Sequence, residues 1–344
     1  MNKTMIYADH AATTAMSSVA YEAMLPWLQN RYGNPSTLYS LARDPRKAVV
    51  QSREVIANAI HANPSEIFFT SGGTEADNWA LKGTLFQHER GKGIITSAIE
   101  HHAILNSCAA LERMGYSINM LPVDHEGVVN ADALRSTLAS NTVLVSVMLA
   151  NNEIGTIEPV AELAHLAHQM GVLFHTDAVQ AFGHIKIDVQ DMNIDFLSIS
   201  GHKIGAPKGI GALYIRKGCK IDNLIHGGQQ ERGRRAGTEN VIGIVALGKA
   251  AEMAMAEIDE VTAKLTYLRD KLINSLLSKI DYARLNGHPV DRLPGNVNIS
   301  FEFIEGESML LLLDNYGICA SSGSACTSGS LDPSHVLLAI GLPH

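Results

Sequence analysis

The sequence predicts an α/β fold: a mainly parallel sheet sandwiched by helices, with a smaller α+β unit from the C-terminal part joined by the N-terminal segment. Three observations predict it. Short apolar runs alternate with helix-period stretches through the middle of the chain. The runs are continuously apolar rather than alternating, as strands buried on both faces are. A long helical pattern with few breakers then follows the last run. The 344 residues exceed the roughly 100–200 of one ordinary domain, so two units are expected. Residues 15–258 form the larger one, and residues 1–14 with 259–344 form the smaller.

In chain order, runs 67–70, 94–97, 143–150, 173–177, 196–200 and 211–215 read as strands, and 75–83, 103–114 and 160–170 as crossover helices. A loop rich in Gly and Arg, 227–240, leads into the long helical pattern from 241 to about 280. Beyond it come a strand candidate at 296–303, a helix at 307–315 and a Ser/Gly-rich loop at 321–330. A last helix begun at Pro333 would reach about Leu342 with its apolar face uncovered. Ligands of open parallel sheets bind at the carboxyl ends of strands, where Ser71, Asp177 and Lys203 fall.

Composition excludes several classes. The formal charge is −8, and no Lys/Arg run forms a stripe that could follow a phosphate backbone, so nucleic acid is not an expected partner. No apolar run approaches the roughly 18 residues of a membrane helix, and no signal-peptide pattern precedes Met5, so a cytoplasmic protein with no membrane partner is expected. Four cysteines, Cys108, Cys219, Cys319 and Cys326, are too few for a disulfide scaffold and lack zinc spacing. Cys108 and Cys319 read as packing residues and Cys219 as incidental; no metal site is expected.

The chemistry concentrates between His175 and Lys203. A lysine just past a strand, with Asp177 and Gln180 upstream, suits pyridoxal 5′-phosphate (PLP): the amine bonds the cofactor aldehyde and the carboxylate keeps the ring nitrogen protonated. The turn Ser71-Gly72-Gly73-Thr74 follows a strand and opens a helix, so its N–H groups and positive helix end suit a phosphate. His101 follows the next strand, where an imidazole can stack on a ring and move protons. Asn152 ends the strand after it, offering an amide. Cys326 stands in the polar loop, where a thiol is accessible. Each also has an ordinary reading: a solvated lysine, a capped turn, a structural histidine, an Asn-Gly turn.

Together these segments resemble the cysteine desulfurases of the NifS/IscS type, in the class V aminotransferase group of fold-type I PLP enzymes. The resemblance runs through Ala8-Asp9-His10-Ala11-Ala12-Thr13-Thr14, Tyr32-Gly33-Asn34-Pro35-Ser36, Gly73-Thr74, Glu100-His101-His102 and Asn152-Glu153-Ile154-Gly155. It continues through Asp177 with Gln180, Ser200-Gly201-His202-Lys203, Glu231-Arg232-Gly233-Arg234-Arg235-Ala236-Gly237-Thr238 and the cysteine loop. It implies a seven-stranded sheet, Lys203 as Schiff-base lysine and Cα base, Asp177 on the ring nitrogen, Gln180 and Asn152 near the phenol oxygen, and His101 stacked on the ring. Gly73, Thr74, Ser200 and His202 would hold the phosphate, and Thr238 would reach the partner's phosphate in a homodimer. Cys326 would take sulfur from L-cysteine as a persulfide, leaving L-alanine, and deliver it to iron–sulfur scaffold or other acceptor proteins, contacting a cluster transiently.

The pattern also departs from the family. The sequence stops at His344, before an Ile-Arg-Phe-Ser type segment whose arginine binds the substrate carboxylate in relatives, so a shortened enzyme is expected. Relatives commonly carry His and Gly where Tyr39 and Ala42 stand. A selenocysteine lyase, another class V enzyme and a catalytically impaired PLP-bound scaffold remain as alternatives.

Overall fold

A computed structural model describes residues 5–89, 92–322 and 333–343; Cys326 and the other expected features of 323–332 lie outside the described residues. The chain opens with β1 (Ile6–Tyr7), α1 (Ser18–Gln29) and α2 (Arg43–Ala59). An alternating stretch follows: β2 (Ile67–Thr70), α3 (Gly73–Leu85), β3 (Gly93–Ser97), α4 (His102–Arg113), β4 (Ser117–Leu121), α5 (Ala131–Thr137), β5 (Thr142–Ser146) and α6 (Val160–Gln169). Next come β6 (Leu173–Asp177), β7 (Phe196–Ser200), β8 (Gly211–Ile215), α7 (Gln230–Gly233) and α8 (Val241–Lys279). The remainder holds β9 (Ala283–Leu285), β10 (Ile299–Phe301), α9 (Gly306–Asn315), β11 (Ile318–Cys319) and α10 (His335–Ala339).

Seven strands form the main sheet in the order β2-β8-β7-β6-β5-β3-β4. Only β8 runs against the others, pairing antiparallel with β2 and β7. Adjacent residues on each strand face opposite sides, so the sheet makes two cores. Ile95, Val145, Phe174 and Leu197 face Ile56, Leu163 and Leu247 on α2, α6 and α8. Ile94, Leu144, Phe196 and Leu213 face Trp79, Ile104 and Leu111 on α3 and α4. Each such side chain removed from water contributes about 1.5–3 kcal/mol, which is what makes continuously apolar runs stable as strands here.

Six strands coincide with the expected runs. The seventh, β4, is the edge strand; Ser117 and Asn119 interrupt its apolar side chains, and it is only half-buried. The run expected at 143–150 ends as a strand at Ser146, although Val147 and Leu149 still donate to the His175 and Asp177 carbonyls. The run expected at 296–303 forms a strand only over Ile299–Phe301; before it, the Asn296 and Asn298 side chains donate to the Glu153 carbonyl, while the Asn298 carbonyl still accepts from the Asn286 N–H.

The long helix forms as expected: α8 spans 39 residues, capped by the Asn240 side chain on the Gly243 N–H. The expectation of an uncovered last helix is corrected. On α10 and just past it, Val336 and Ile340 are buried against Ile99, Met148 and Ile154. It is α9 that buries none of its residues. The N-terminal segment crosses to the C-terminal part, where β1 pairs parallel with β11.

Candidate active site

A cavity of about 350 Å³ opens at the carboxyl ends of the parallel strands, within the usual size of small-ligand sites. Gly73, Thr74, His101, Asn152, Asp177, Gln180, Ser200, His202 and Lys203 all line it. Residues separated by up to 130 positions are thus brought together, because five strand ends deliver them to one edge.

At one end of the cavity β2 passes into α3. Gly72 caps this helix at φ 152°, which side chains rarely adopt, and no side chain satisfies the helix's first N–H groups. A Cβ on Gly73 would stand 2.5 Å from Val179 Cγ2, so only glycine lets these two segments approach. Glu75 accepts from the Ser71 N–H at 2.8 Å and forms a two-bond pair with Arg235 at 2.8 and 2.9 Å. That pairing holds the Glu75 carboxyl below the usual range against the opposing effect of burial.

Lys203 follows β7 on a single helical turn, and its Nζ donates to the Ala11 carbonyl and, at 2.9 Å, to the Ala12 carbonyl. Gln180 Nε2 donates to the same Ala11 carbonyl at 2.9 Å. Asp177 ends β6 with one carboxylate oxygen accepting from the Val179 N–H at 2.8 Å. Burial pushes its carboxyl up, while His101 and Lys203 pull it down. His101 caps α4: its Nδ1 accepts from the Ala103 N–H at 3.1 Å, so the neutral ring carries its proton on Nε2. Burial lowers its pKa, which keeps the ring neutral. His202 is held by Thr13 Oγ1 at 3.0 Å, and burial, with Lys203 and Lys208, takes its pKa down to about 4.

A protein-family model, aminotransferase class V, matches residues 6–341. The chain belongs to the class V aminotransferases. It is 56% identical over 340 residues, 98% of this chain and 84% of the relative, to a cysteine desulfurase, IscS, of Methanosarcina thermophila. Among solved structures, a NifS-like protein superposes with TM-score 0.92 at 38% identity, covering 98% of this chain and 90% of that one. The structure titled SspA in complex with cysteine gives 0.87 at 38%, covering 99% and 95%.

Class V aminotransferases depend on PLP, and the cavity's donor set fits that group. An amine, a buried carboxylate and an imidazole stand around it, and a helix start with unsatisfied N–H groups lies at one end. The fit extends to the backbone, since Gly73 leaves room that a Cβ would fill. Among the described residues, no cluster of His, Cys, Asp and Glu could hold a metal ion.

Other members of this class V aminotransferase site carried no sequence signal. The Ala11 and Ala12 carbonyls that hold Lys203 are backbone groups on the N-terminal segment, invisible in residue types. Asp77 is fully buried on α3 and lines the cavity, yet reads in sequence as an ordinary polar helix residue. Among the described residues its Oδ1 has no hydrogen-bond partner, and it lies 3.7 Å from His175 Nε2. That histidine is bound to Ser146 and Ser198 hydroxyls, and burial takes its pKa down to about 3. Burial pushes Asp77 well above the usual carboxylate range, and Glu100 up to about 8.

Thr238, expected at the partner's phosphate, does not line this chain's own cavity. Thr238 is exposed, between Gly237 and Glu239, which line a separate cavity with Ser71 and Arg235. Of the other cysteines, Cys108 is buried as expected and Cys319 is half-buried on β11. Cys219, read as incidental, is half-buried, its thiol donating to Asp195 at 3.7 Å.

Proposed function

We propose that this chain is a PLP-dependent cysteine desulfurase that converts L-cysteine to L-alanine and supplies the sulfur for iron–sulfur cluster assembly. One observation carries the reading: Lys203, Asp177 and His101 converge on a single cavity, in a chain closely similar to named cysteine desulfurases. When bound, PLP supplies an aldehyde that bonds amines and a ring that absorbs the electrons of a deprotonated Cα.

The chain's own residues supply the rest. Lys203 Nζ would hold the aldehyde end of the cofactor, and its amine would take and return the substrate Cα proton. Asp177 would keep the ring nitrogen protonated, while Gln180 and Asn152 would hydrogen-bond the phenol oxygen. His101 would lie against the ring. Gly73, Thr74, Ser200 and His202 would hold the phosphate, aided by the positive end of α3. Cys326 takes the sulfur: substrate thiol and enzyme thiol become L-alanine and an enzyme persulfide, a balance that needs no outside oxidant. The persulfide passes to an acceptor protein.

The working unit is a homodimer in which Thr238 reaches the partner's cofactor phosphate. Its exposure outside its own cavity supports this, as do exposed apolar side chains on and after α1, with Leu38 96% exposed and Tyr21 and Leu28 more than half exposed. The large unit comprises 15–258 and the small unit 1–14 with 259–344. The β1–β11 pairing supports grouping the N-terminal segment with the small unit. Among the described residues no helix is long and apolar enough to cross a membrane. A selenocysteine lyase or inactive scaffold has no comparable support.

The test is L-alanine formation from L-cysteine by the PLP-loaded protein with a thiol reductant. Alanine that disappears in Cys326→Ala, with cofactor absorbance unchanged, is the expected result. Turnover retained by that variant contradicts it.

A further inference from the structure

Arg292 is only 3% exposed, yet its guanidinium meets neutral acceptors alone. Nη1 donates to the His288 carbonyl at 3.3 Å, and Nη2 donates to the Ile154 carbonyl at 3.0 Å and to Asn296 Oδ1 at 3.2 Å. Its Nε is buried with no hydrogen-bond partner among the described residues. Among those residues no carboxylate comes within ion-pair distance; Asp270, whose charge Arg292 feels, is held by Arg269 at 2.8 Å. Burial and Arg269 bring the Arg292 pKa down to about 10, which leaves it charged at neutral pH. A buried cation without an anion is costly, and arginine is almost never buried in that state.

The cation stands directly behind one wall of the cavity, where Gly295, Asn296, Val297 and Asn298 line it. The Asn296 amide takes Arg292 on its oxygen and donates one N–H to the Glu153 carbonyl at 2.9 Å. The Asn298 amide accepts from Asn286 at 2.8 Å and donates one N–H to the same carbonyl at 3.1 Å. An amide nitrogen carries two N–H donors, so among the described residues each asparagine keeps one for an occupant. A Cβ on Gly155 would stand 2.7 Å from the Asn296 side chain, so the wall is packed in place. Glu153 is the acid on this wall; its carboxylate accepts from Ser334, and burial pushes its pKa up to about 7.

We propose that Arg292, acting through the Asn296 amide, is a positioning residue that selects for the α-carboxylate of the amino-acid substrate. The inference deepens the proposed reading of L-cysteine as substrate and rests on it. That reaction brings two anionic groups into the cavity, the cofactor phosphate and the substrate carboxylate. The phosphate belongs, on the same reading, to the start of α3, whereas the 295–298 wall precedes β10, so the carboxylate is the anion left for that wall. A carboxylate arriving there meets donors already in place and offsets the burial of Arg292 that folding leaves uncompensated. An uncharged group in its place gains neither.

The experiment uses the PLP-loaded protein and follows bound-cofactor absorbance while titrating L-alanine and ethylamine, two amines that differ by the carboxylate. Asn296→Asp puts an anion beside Arg292, and Arg292→Met removes the charge. Each is expected to lower the preference for L-alanine over ethylamine at least about tenfold. PLP affinity is expected to stay within about threefold in Asn296→Asp, and its L-cysteine kinetics to worsen in KM more than in kcat. Should Arg292→Met fail to fold, Asn296→Asp decides alone. An unchanged preference in Asn296→Asp, or a loss of PLP affinity as large as the loss of L-alanine affinity, would overturn the inference. Wild-type protein that forms no L-alanine from L-cysteine refutes the substrate reading instead, and the two-amine preference is still measured.

Discussion

At the level of single residues, the site works by giving like groups different surroundings. Burial raises both the Asp177 and the Asp77 carboxyl; His101 and Lys203 partly offset it at Asp177, whereas at Asp77 the nearby Asp177 adds to it. Asp77 therefore remains protonated. Asp77→Asn, a neutral replacement of the same shape, is expected to leave the PLP dissociation constant within about threefold. Asp177→Asn, which removes the charge proposed to face the ring nitrogen, is expected to lower kcat by about 100-fold or more. Absorbance titration with PLP and alanine assays measure both. Lys203, Asp177 and His101 were legible in sequence because their side chains name their chemistry and stand at strand ends. The carbonyls of Ala11 and Ala12 were not, since a backbone acceptor has no signature in residue type.

At the level of elements, two junctions fix the geometry. The β2–α3 turn depends on the room left by Gly73; Gly73→Ala drives a methyl to 2.5 Å from Val179 Cγ2. That overpacking is expected to destabilise the fold by about 1–3 kcal/mol and to weaken PLP binding more than tenfold, read by chemical denaturation and cofactor titration. The Gly/Arg-rich loop is held by Glu231, buried at 6% exposure, which accepts two bonds of 2.7 Å from Arg53 and one of 3.0 Å from the Phe69 N–H. Glu231→Ala strands that guanidinium and is expected to cost about 3–5 kcal/mol in urea unfolding. Element existence was readable from apolar runs except at β4, whose polar interruptions reflect its place at the sheet edge. Direction was not readable: nothing in the apolar run of β8 says that it opposes its neighbours.

At the level of the whole molecule, buried acids make stability depend on pH. Burial raises Glu100 and Glu158 to about 8 and Glu153 to about 7, against 4.5 when unfolded, so the folded state keeps protons that the unfolded chain loses. Stability therefore falls as pH rises through that window. His175 and His202, lowered to about 3 and 4 from 6.5, act oppositely, so folding gains as pH rises toward 6.5. Urea unfolding is expected to show a decline from about pH 6.5 to 8, and Glu100→Gln to flatten it. The long-range assembly was only partly legible: the sheet's edge collects strand ends, but the docking of α10 on the cavity wall joins residues remote in sequence that no local pattern links. In the proposed reaction the Lys203 cavity moves sulfur from L-cysteine to Cys326. Its most direct test is peptide mass spectrometry of the PLP-loaded protein after one turnover with L-cysteine and no reductant. One added sulfur atom on Cys326, with an equivalent of L-alanine, is the predicted result; alanine without that added sulfur, or sulfur on Cys108, Cys219 or Cys319 instead, would contradict it.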